Sequence, residues 1–231
     1  MINKITLNLR FTRVFIRMER NDDISLAQWS LVEEWRAGQW TTLDFPRLAR
    51  EDFGLNGVEF VNTLFEVPTE TYLKQLKQNA ADHGITMVLI MVDDEGDGCS
   101  SDKQEALNWA AESYHPLLEY ASPAGINILI ENHGGVSNDP DWLVQLMQKV
   151  NDPLFGAYPD WREPAADFDN FAYLEKTLPY AKGMSYRNQP TDEQTVHMLE
   201  LCRESGFHGW YGIESGGREA IQKAIRLLNG H

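Results

Sequence analysis

The sequence predicts an α/β fold in which about seven parallel strands alternate with helices, as in a (β/α) barrel. Three observations support this prediction. Short apolar runs rich in β-branched and aromatic residues alternate with helical patterns along the 231-residue chain. Several runs are apolar almost throughout, which is typical of parallel strands that are covered on both faces. The sequence contains no GxGxxG turn or phosphate-binding loop that would favour an open nucleotide-binding sheet.

Seven strands are predicted from these apolar runs. In chain order they cover 24–30, 57–62, 86–92, 127–132, 155–160, 181–187 and 209–215. Since each run is followed by a helical pattern or by the end of the chain, the arrangement is TIM-barrel-like but one unit short of the usual eight. An incomplete or rearranged barrel and an open sheet are the alternatives that this count leaves.

Helices are predicted between the strands from helical spacing and from capping residues. Their ranges are 43–53, 69–82, 103–125, 140–150, 191–205 and 217–229. Asp139 is the predicted N-cap of the helix at 140–150, and Gly84 and Gly206 follow the ends of two other helices. Pro116 is expected to interrupt the helical stretch at 103–125, because proline removes a backbone donor.

The chain is predicted to form one barrel-like domain over 24–231, since no linker or change in composition divides it. Residues 1–23 are predicted to be an N-terminal extension with a strand-like pattern, in which Ile5, Leu7, Leu9 and Phe11 alternate with polar residues. Pairing with an edge of the sheet, pairing with another subunit and a frayed tail are the alternatives for this segment.

Composition limits the classes of partner. With 35 acidic and 20 basic residues the formal net charge is -15, and such a surface repels polyanions, which argues against nucleic acid. No apolar run of roughly 18 residues predicts a membrane span. The basic N-terminus lacks the apolar stretch of a secretory signal, so a cytoplasmic location is expected. Cys99 and Cys202 alone predict neither a disulfide framework nor a zinc ribbon.

Polar side chains collect at the carboxyl ends of the predicted strands, where (β/α) barrels carry functional residues. They are Glu59, Asn62, Asp93, Asp94, Glu131, His133, Asp160, Arg162, Ser185, Arg187 and Glu214. Glu131 and Glu214 directly follow apolar residues, so their carboxylates are expected to point into the barrel mouth. A buried carboxylate needs a cation or a dense set of hydrogen bonds. A divalent ion held by Glu131, Asp160 and Glu214 would meet that need, and Mn²⁺, Mg²⁺, Co²⁺ and Zn²⁺ all suit such ligands.

Four segments together resemble the xylose isomerase-like TIM-barrel family of sugar phosphate isomerases and epimerases. They are LDFPRLAREDFGLNGVEFVN (43–62), INILIENHGG (126–135), FGAYPD (155–160) and WYGIES (210–215). The resemblance covers 24–231 and implies that Glu131, Asp160 and Glu214 hold a divalent metal. It also implies that the two glutamates are the acid/base pair that moves a proton at a carbon next to a carbonyl of a sugar substrate.

The sequence departs from the family's pattern in two places. Ser185 stands where the family usually places a metal-ligating histidine, so Ser185, a water or His133 would have to fill that coordination position. The strand–helix unit that the family has between the third and fourth predicted strands is missing, because 94–125 contains no β-rich run. Closing the barrel would then require the N-terminal strand or a second subunit, and a homodimer is one alternative.

Four further residues are predicted to bind substrate: His133, Arg187, Glu59 and Trp161. Arg187 could clamp a phosphate or carboxylate, or it could be a plain ion-pair partner of the neighbouring acids. Trp161, next to Asp160, could stack on a sugar face. The predicted function is a sugar or sugar phosphate isomerase or epimerase. The alternatives are a non-catalytic sugar-binding or assembly protein and a metal-dependent phosphodiesterase of the abasic-site endonuclease branch. The acidic charge and the six histidines, none in an HxH spacing, disfavour the phosphodiesterase.

Overall fold

The computed structural model describes residues 24–92, 102–162 and 168–230. The predicted N-terminal extension of 1–23 lies outside the described residues, as do Asp93, Asp94 and Cys99. Within the described ranges, strands and helices alternate along the chain as the sequence predicts.

The seven strands occupy the seven predicted runs and are shorter than predicted. They are β1 (Ile24–Ala27), β2 (Gly57–Val61), β3 (Thr86–Met91), β4 (Ile128–Glu131), β5 (Phe155–Tyr158), β6 (Gly183–Tyr186) and β7 (Trp210–Ile213). Single 3₁₀ turns, Gln28–Leu31 and Asn62–Leu64, follow β1 and β2 directly and account for the early ends of those two strands.

The helices occupy all the predicted ranges, and two more, the first and the sixth, form between predicted elements. They are α1 (Val32–Arg36), α2 (Phe45–Phe53), α3 (Glu70–Asp82), α4 (Lys103–Ala121), α5 (Pro140–Val150), α6 (Asn170–Thr177), α7 (Asp192–Glu204) and α8 (Arg218–Gly230). Asp139 caps α5 as predicted, since its side chain accepts hydrogen bonds from the backbone N–H groups of Asp141 and Trp142. None of the helices in the described ranges is both long enough and apolar enough to cross a bilayer.

Helix α4 continues through Pro116, so the predicted interruption at that residue is wrong. The cause lies in packing. Leu107 and Ala111 before the proline and Leu118 after it are buried in one apolar cluster with residues of α5. Helical stability in proteins comes mostly from such an apolar face, and here it outweighs the one backbone hydrogen bond that proline removes.

All the paired strands are parallel, and they form two sheets. Five strands pair in the order β3-β2-β1-β7-β6, and β4 pairs with β5. Single parallel bridges from Ala157 to Ala181 and from Asp160 to Ser185 connect the two sheets, and we refer to this place as the β5–β6 junction. Within the described residues no strand pairing joins β3 to β4, and we refer to that place as the β3–β4 gap. The predicted α/β fold, an incomplete TIM-barrel-like arrangement of seven parallel strands, is confirmed.

The two strands that border the gap are less buried than most of the others. Strands β1, β2, β5 and β6 are buried along their whole length, β7 is buried in its second half, and β3 and β4 are partly exposed. The main apolar core lies between the five-stranded sheet and helices α2, α3, α7 and α8, and a second core joins α4 and α5 to β5. These apolar cores pack against the strands and thereby fix the positions of their carboxyl ends relative to one another.

Candidate active site

Five residues that the sequence analysis placed at strand ends come together in the structure. Arg187 pairs with Asp160 and Glu214, and the carboxylate of Glu131 is close enough to all three, and to Glu59, to interact with them electrostatically. These side chains come from β2, β4 and the segments that follow β5, β6 and β7. Because the carboxyl ends of parallel strands meet at one edge of a barrel, the fold itself produces this cluster.

Arg187 lies between two of the acids. Its Nε donates to Asp160 Oδ1 at 2.7 Å, and its Nη2 donates to Glu214 Oε1 at 2.5 Å. Ser185 Oγ donates to the other oxygen of Glu214 at 2.8 Å. The side chains of Asp160 and Glu214 are only 2% and 11% exposed, whereas that of Arg187 is 28% exposed. The guanidinium thus compensates two nearly buried charges, each of which would otherwise be costly to remove from water.

Asn132, which the sequence analysis did not select, fixes the end of β4 to the end of β5. Its side-chain Oδ1 accepts from the backbone N–H of Asp160 at 2.7 Å, and its Nδ2 donates to the backbone carbonyl of Asp160 at 3.1 Å. Asn132 is fully buried. An amide can serve a donor and an acceptor at once, so this residue holds Glu131 and Asp160 in register. A polar residue directly after the buried run of β4 was the signal available in the sequence.

Within the described part of the chain, Glu131 lacks the direct partners that Asp160 and Glu214 have. Among the described residues its side chain makes neither a hydrogen bond nor an ion pair, in contrast to Glu214. Burial raises the pKa of Glu131 well above its usual value, the charges of Asp160 and Glu214 raise it further, and Arg187 lowers it. Burial also raises the pKa of Glu214, but there Arg187 and the Ser185 hydroxyl act in the opposite direction. The two glutamates therefore have different surroundings in the same site.

Glu59 lies inside the barrel and is fully buried. Its carboxylate accepts hydrogen bonds from Ser25 Oγ at 2.8 Å and from the Tyr158 hydroxyl at 2.7 Å. Burial raises the pKa of Glu59 to about 7, although both hydrogen bonds lower it. Gly212 on β7 faces this carboxyl group, and a Cβ atom at that position would collide with the Glu59 oxygens. The predicted substrate contact of Glu59 stays a prediction.

The other predicted substrate-binding residues lie in contrasting places. His133 is exposed, and its backbone N–H donates to Ser137 Oγ. It lies near enough to Glu214 to lower the pKa of that glutamate. Trp161 is only 1% exposed, and its ring packs on Tyr186 with 4.9 Å between centroids. The predicted stacking of Trp161 on a sugar therefore stays a prediction, while its observed packing is in the main core.

A divalent metal does not fit the donor set as the structure arranges it. Of the three predicted ligands, Asp160 and Glu214 already accept hydrogen bonds from Arg187, and Ser185 donates to Glu214 where the resemblance expects an imidazole. Within the described ranges, no group of three or more His, Cys, Asp or Glu side chains is placed to hold a metal ion. The arrangement contains its own cation, the guanidinium of Arg187.

Comparison with known proteins supports the fold. No family model matches the chain, and no curated protein matches it in sequence. Solved structures that match it include xylose isomerase-like TIM-barrel proteins. One is the probable 3-DHS dehydratase AsbF of Bacillus anthracis, which is 13% identical with a TM-score of 0.61, over 89% of this chain and 98% of that one.

Two further solved structures share the fold. The D-psicose 3-epimerase of Clostridium cellulolyticum H10, solved with D-tagatose, is 12% identical with a TM-score of 0.63, over 89% of each chain. The IOLI protein, solved with a bound zinc atom, is 12% identical with a TM-score of 0.55, over 90% of this chain and 96% of that one. The predicted resemblance to xylose isomerase-like TIM-barrel proteins is thus confirmed in the fold, and these identities carry no more than the fold.

Proposed function

We propose that the chain is an enzyme that moves a proton at a carbon next to a carbonyl group of a small sugar or sugar phosphate, as an isomerase or epimerase. One observation carries the proposal. Two glutamates at strand ends, Glu131 on β4 and Glu214 after β7, share a site but differ in pairing, since Glu131 has no partner among the described residues and Glu214 is held by Arg187 and Ser185. Titratable groups with such contrasting surroundings are typical of acid/base sites. Proteins of the same fold include an epimerase solved with a sugar.

In the proposed reaction the ionised Glu131 takes the proton from the carbon. The C–H bonding electrons form the carbon–carbon double bond of an enediolate, and the negative charge moves to the former carbonyl oxygen. A raised pKa makes Glu131 a stronger base at neutral pH than an ordinary carboxylate. For epimerisation, Glu214 in its protonated form gives a proton to the same carbon from the opposite face, the carbonyl is restored, and the two glutamates then exchange protons with solvent. For isomerisation, Glu131 returns its proton to the neighbouring carbon while the hydroxyl proton of that neighbour moves to the former carbonyl oxygen, so that the carbonyl now stands at the neighbour.

Arg187 stabilises the enediolate in this scheme. Its side chain is 28% exposed at the strand ends, so part of the guanidinium is accessible beside the two carboxylates that hold it. A fixed positive charge in a site of low water content favours a developing oxyanion without reorganising. A guanidinium also matches a phosphate group, so a phosphorylated sugar is compatible with the same side chain. In this scheme His133, which is exposed near Glu214, contacts a substrate hydroxyl.

The test is the incorporation of solvent deuterium into sugars. Wild-type protein is incubated in D₂O with aldoses, ketoses and their phosphates, and ¹H NMR follows the loss of the signal from the hydrogen next to the carbonyl. We expect exchange with at least one sugar, and a loss of roughly a hundredfold or more in Glu131→Gln and Glu214→Gln, as for removal of a general acid or base. Glu119→Gln, at an exposed position of α4, is the matched control and should exchange at the wild-type rate.

Two outcomes would contradict the proposal. The first is exchange that is unchanged in both glutamine variants. The second is the absence of exchange with every sugar, combined with a sugar that raises the melting temperature of the wild type. That second outcome would favour the alternative of a non-catalytic sugar-binding protein, because a ligand that binds only the folded state stabilises it.

A further inference from the structure

Several carboxylate oxygens of the site already accept hydrogen bonds, whereas an oxygen that binds a metal must be free to do so. Both carboxylate oxygens of Glu214 accept a hydrogen bond, one from Arg187 and one from Ser185. One oxygen of Asp160 accepts from Arg187. An ion that ligated these oxygens would meet the hydrogens that point at them, and it would also meet the positive charge of the guanidinium. The site therefore offers a metal Glu131 and one oxygen of Asp160, which is fewer ligands than a stable divalent site uses.

Arg187 is built into the fold as a permanent charge. It follows β6, which is buried along its length, and its two acids come from the neighbouring segments after β5 and β7. A guanidinium is not deprotonated in proteins, and its planar fork suits two carboxylates at once. The surface arginine Arg218 also bridges two acids, Glu34 and Asp52, but its side chain is 45% exposed. The difference in burial makes Arg218 a natural control for Arg187.

We infer that Arg187 is the fixed cation of this site and takes the place of a divalent metal, so that the protein carries out its chemistry without one. The inference rests on the proposed function for the nature of that chemistry. It assigns the stabilisation of the enediolate to the guanidinium, and it explains why a serine is tolerated at position 185. The Ser185 hydroxyl donates to Glu214 and leaves that carboxylate oriented toward Arg187.

Metal binding tests the inference directly. Wild-type protein and variants are freed of metal by chelation and dialysis, and they are then titrated with Mn²⁺ by calorimetry. Their melting temperatures are measured with and without Mn²⁺, Mg²⁺, Co²⁺ and Zn²⁺. The variants are Arg187→Gln, Arg187→Lys, Asp160→Asn, Arg187→Gln combined with Asp160→Asn, and the control Arg218→Gln.

We expect no stoichiometric Mn²⁺ binding by the wild type, by Arg187→Lys or by Arg218→Gln. Arg187→Gln should bind one Mn²⁺ at least roughly tenfold more tightly than the wild type, because three carboxylates are then left without a cation. It should also be stabilised by several degrees, and Asp160→Asn should remove the gain. If Arg187→Gln folds only when Mn²⁺ is present during refolding, that result supports the inference in the same way.

Two results would overturn it. One is a wild type that binds one equivalent of metal through a site that Asp160→Asn removes. The other is an Arg187→Gln protein that gains no metal affinity. Since these measurements follow metal binding and not turnover, the inference can fail while the proposed proton transfer holds, and deuterium exchange can fail while the metal results stand.

Discussion

The two sheets of this barrel border each other at the β5–β6 junction and at the β3–β4 gap, and these two places differ in backbone pairing. At the β5–β6 junction, backbone bonds run from Trp161 to Ser185, from Ser185 to Pro159 and from Lys182 to Ala157. At the β3–β4 gap, the described residues contain no strand pairing. Large apolar side chains are exposed there instead, with Ile90 of β3 at 56%.

The candidate site lies at the β5–β6 junction, where backbone bonds join the two sheets. Asp160 lies on one side of the β5–β6 junction, and Ser185 and Arg187 lie on the other. The missing β/α unit falls at the gap, between the third and fourth strands. A barrel that lacks a unit at that place can therefore keep its carboxylates and its arginine assembled. Only Glu131 comes from a strand, β4, that borders the gap.

The largest effect is expected from removing the charge that spans the junction. Arg187→Met leaves Asp160 and Glu214 as nearly buried, unpaired carboxylates, and breaking such a pair costs about 3–5 kcal/mol of unfolding free energy. Arg218→Met, which removes an exposed ion pair with Glu34 and Asp52, should cost at most about 1 kcal/mol. Urea unfolding at pH 7 measures both. Equal losses in the two variants would show that charge pairing does not hold the junction.

A second contact between the sheets predicts how stability depends on pH. Glu59 of β2 accepts a hydrogen bond from Tyr158 of β5, and its pKa is raised from 4.5 to about 7. A raised carboxyl pKa means that the folded state binds the proton more tightly. The contribution of the protonated Glu59 to the free energy of unfolding is therefore complete below pH 4.5, declines as the pH rises toward 7, and is absent above that. The decline amounts to about 3 kcal/mol for a shift of this size.

Glu59→Gln removes the titrating group and should flatten this part of the profile. Unfolding free energies of the wild type and the variant, measured by urea at intervals from pH 4 to pH 8, should converge or cross in favour of the variant as the pH rises. The raised pKa values of Glu131 and Glu214 act in the same direction, so the variant retains a shallower decline. Parallel profiles for the two proteins would show that Glu59 titrates normally.

A smaller effect is expected from the packing at the junction itself. A Cβ atom on Gly183 of β6 would lie 3.0 Å from the ring of Tyr158 on β5, so Gly183→Ala must displace that buried ring. Overpacking of this kind costs about 1–3 kcal/mol. Gly216→Ala is the matched control because a Cβ there meets nothing within 4 Å. Urea unfolding compares the two variants. A Gly183→Ala protein as stable as the control would mean that the Tyr158 ring can move aside without lowering the free energy of unfolding.

The sequence was sufficient for the parts of the site that follow from the strands. Strand ends of parallel runs meet at one edge, so Glu131, Asp160 and Glu214 could be grouped before any geometry was known. An ion pair was one of the two roles that the sequence left open for Arg187. Its pairing with Asp160 and Glu214 together could not be derived, because it depends on the distances between side chains at three strand ends. The burial of Trp161 has a similar origin, since successive residues of extended backbone face opposite sides and Asp160 occupies the side of the site.

The smallest change in stability is expected at the gap. Ile90→Lys replaces a side chain that is already 56% exposed, so the unfolding free energy should change by no more than about 0.5 kcal/mol. Val58→Lys on β2 is the buried counterpart, at 0% exposure, and it should cost several kcal/mol because a charge would enter the core. Urea unfolding of the two variants gives the contrast between the gap and the closed side. A loss in Ile90→Lys as large as in Val58→Lys would mean that the gap is covered in solution.

The same variant tests the homodimer, which stays a prediction. An unpaired strand edge with exposed apolar side chains is a surface for association, and Met87, Ile90 and Val92 of the β3 region are 42%, 56% and 76% exposed. We expect the average mass of the wild type in sedimentation velocity to rise with concentration, and that of Ile90→Lys to rise less, because a lysine on the edge opposes pairing. A wild type that stays a single chain at every concentration would remove the gap as an association surface. The β5–β6 junction and the β3–β4 gap would then differ only in the strand pairing within one chain.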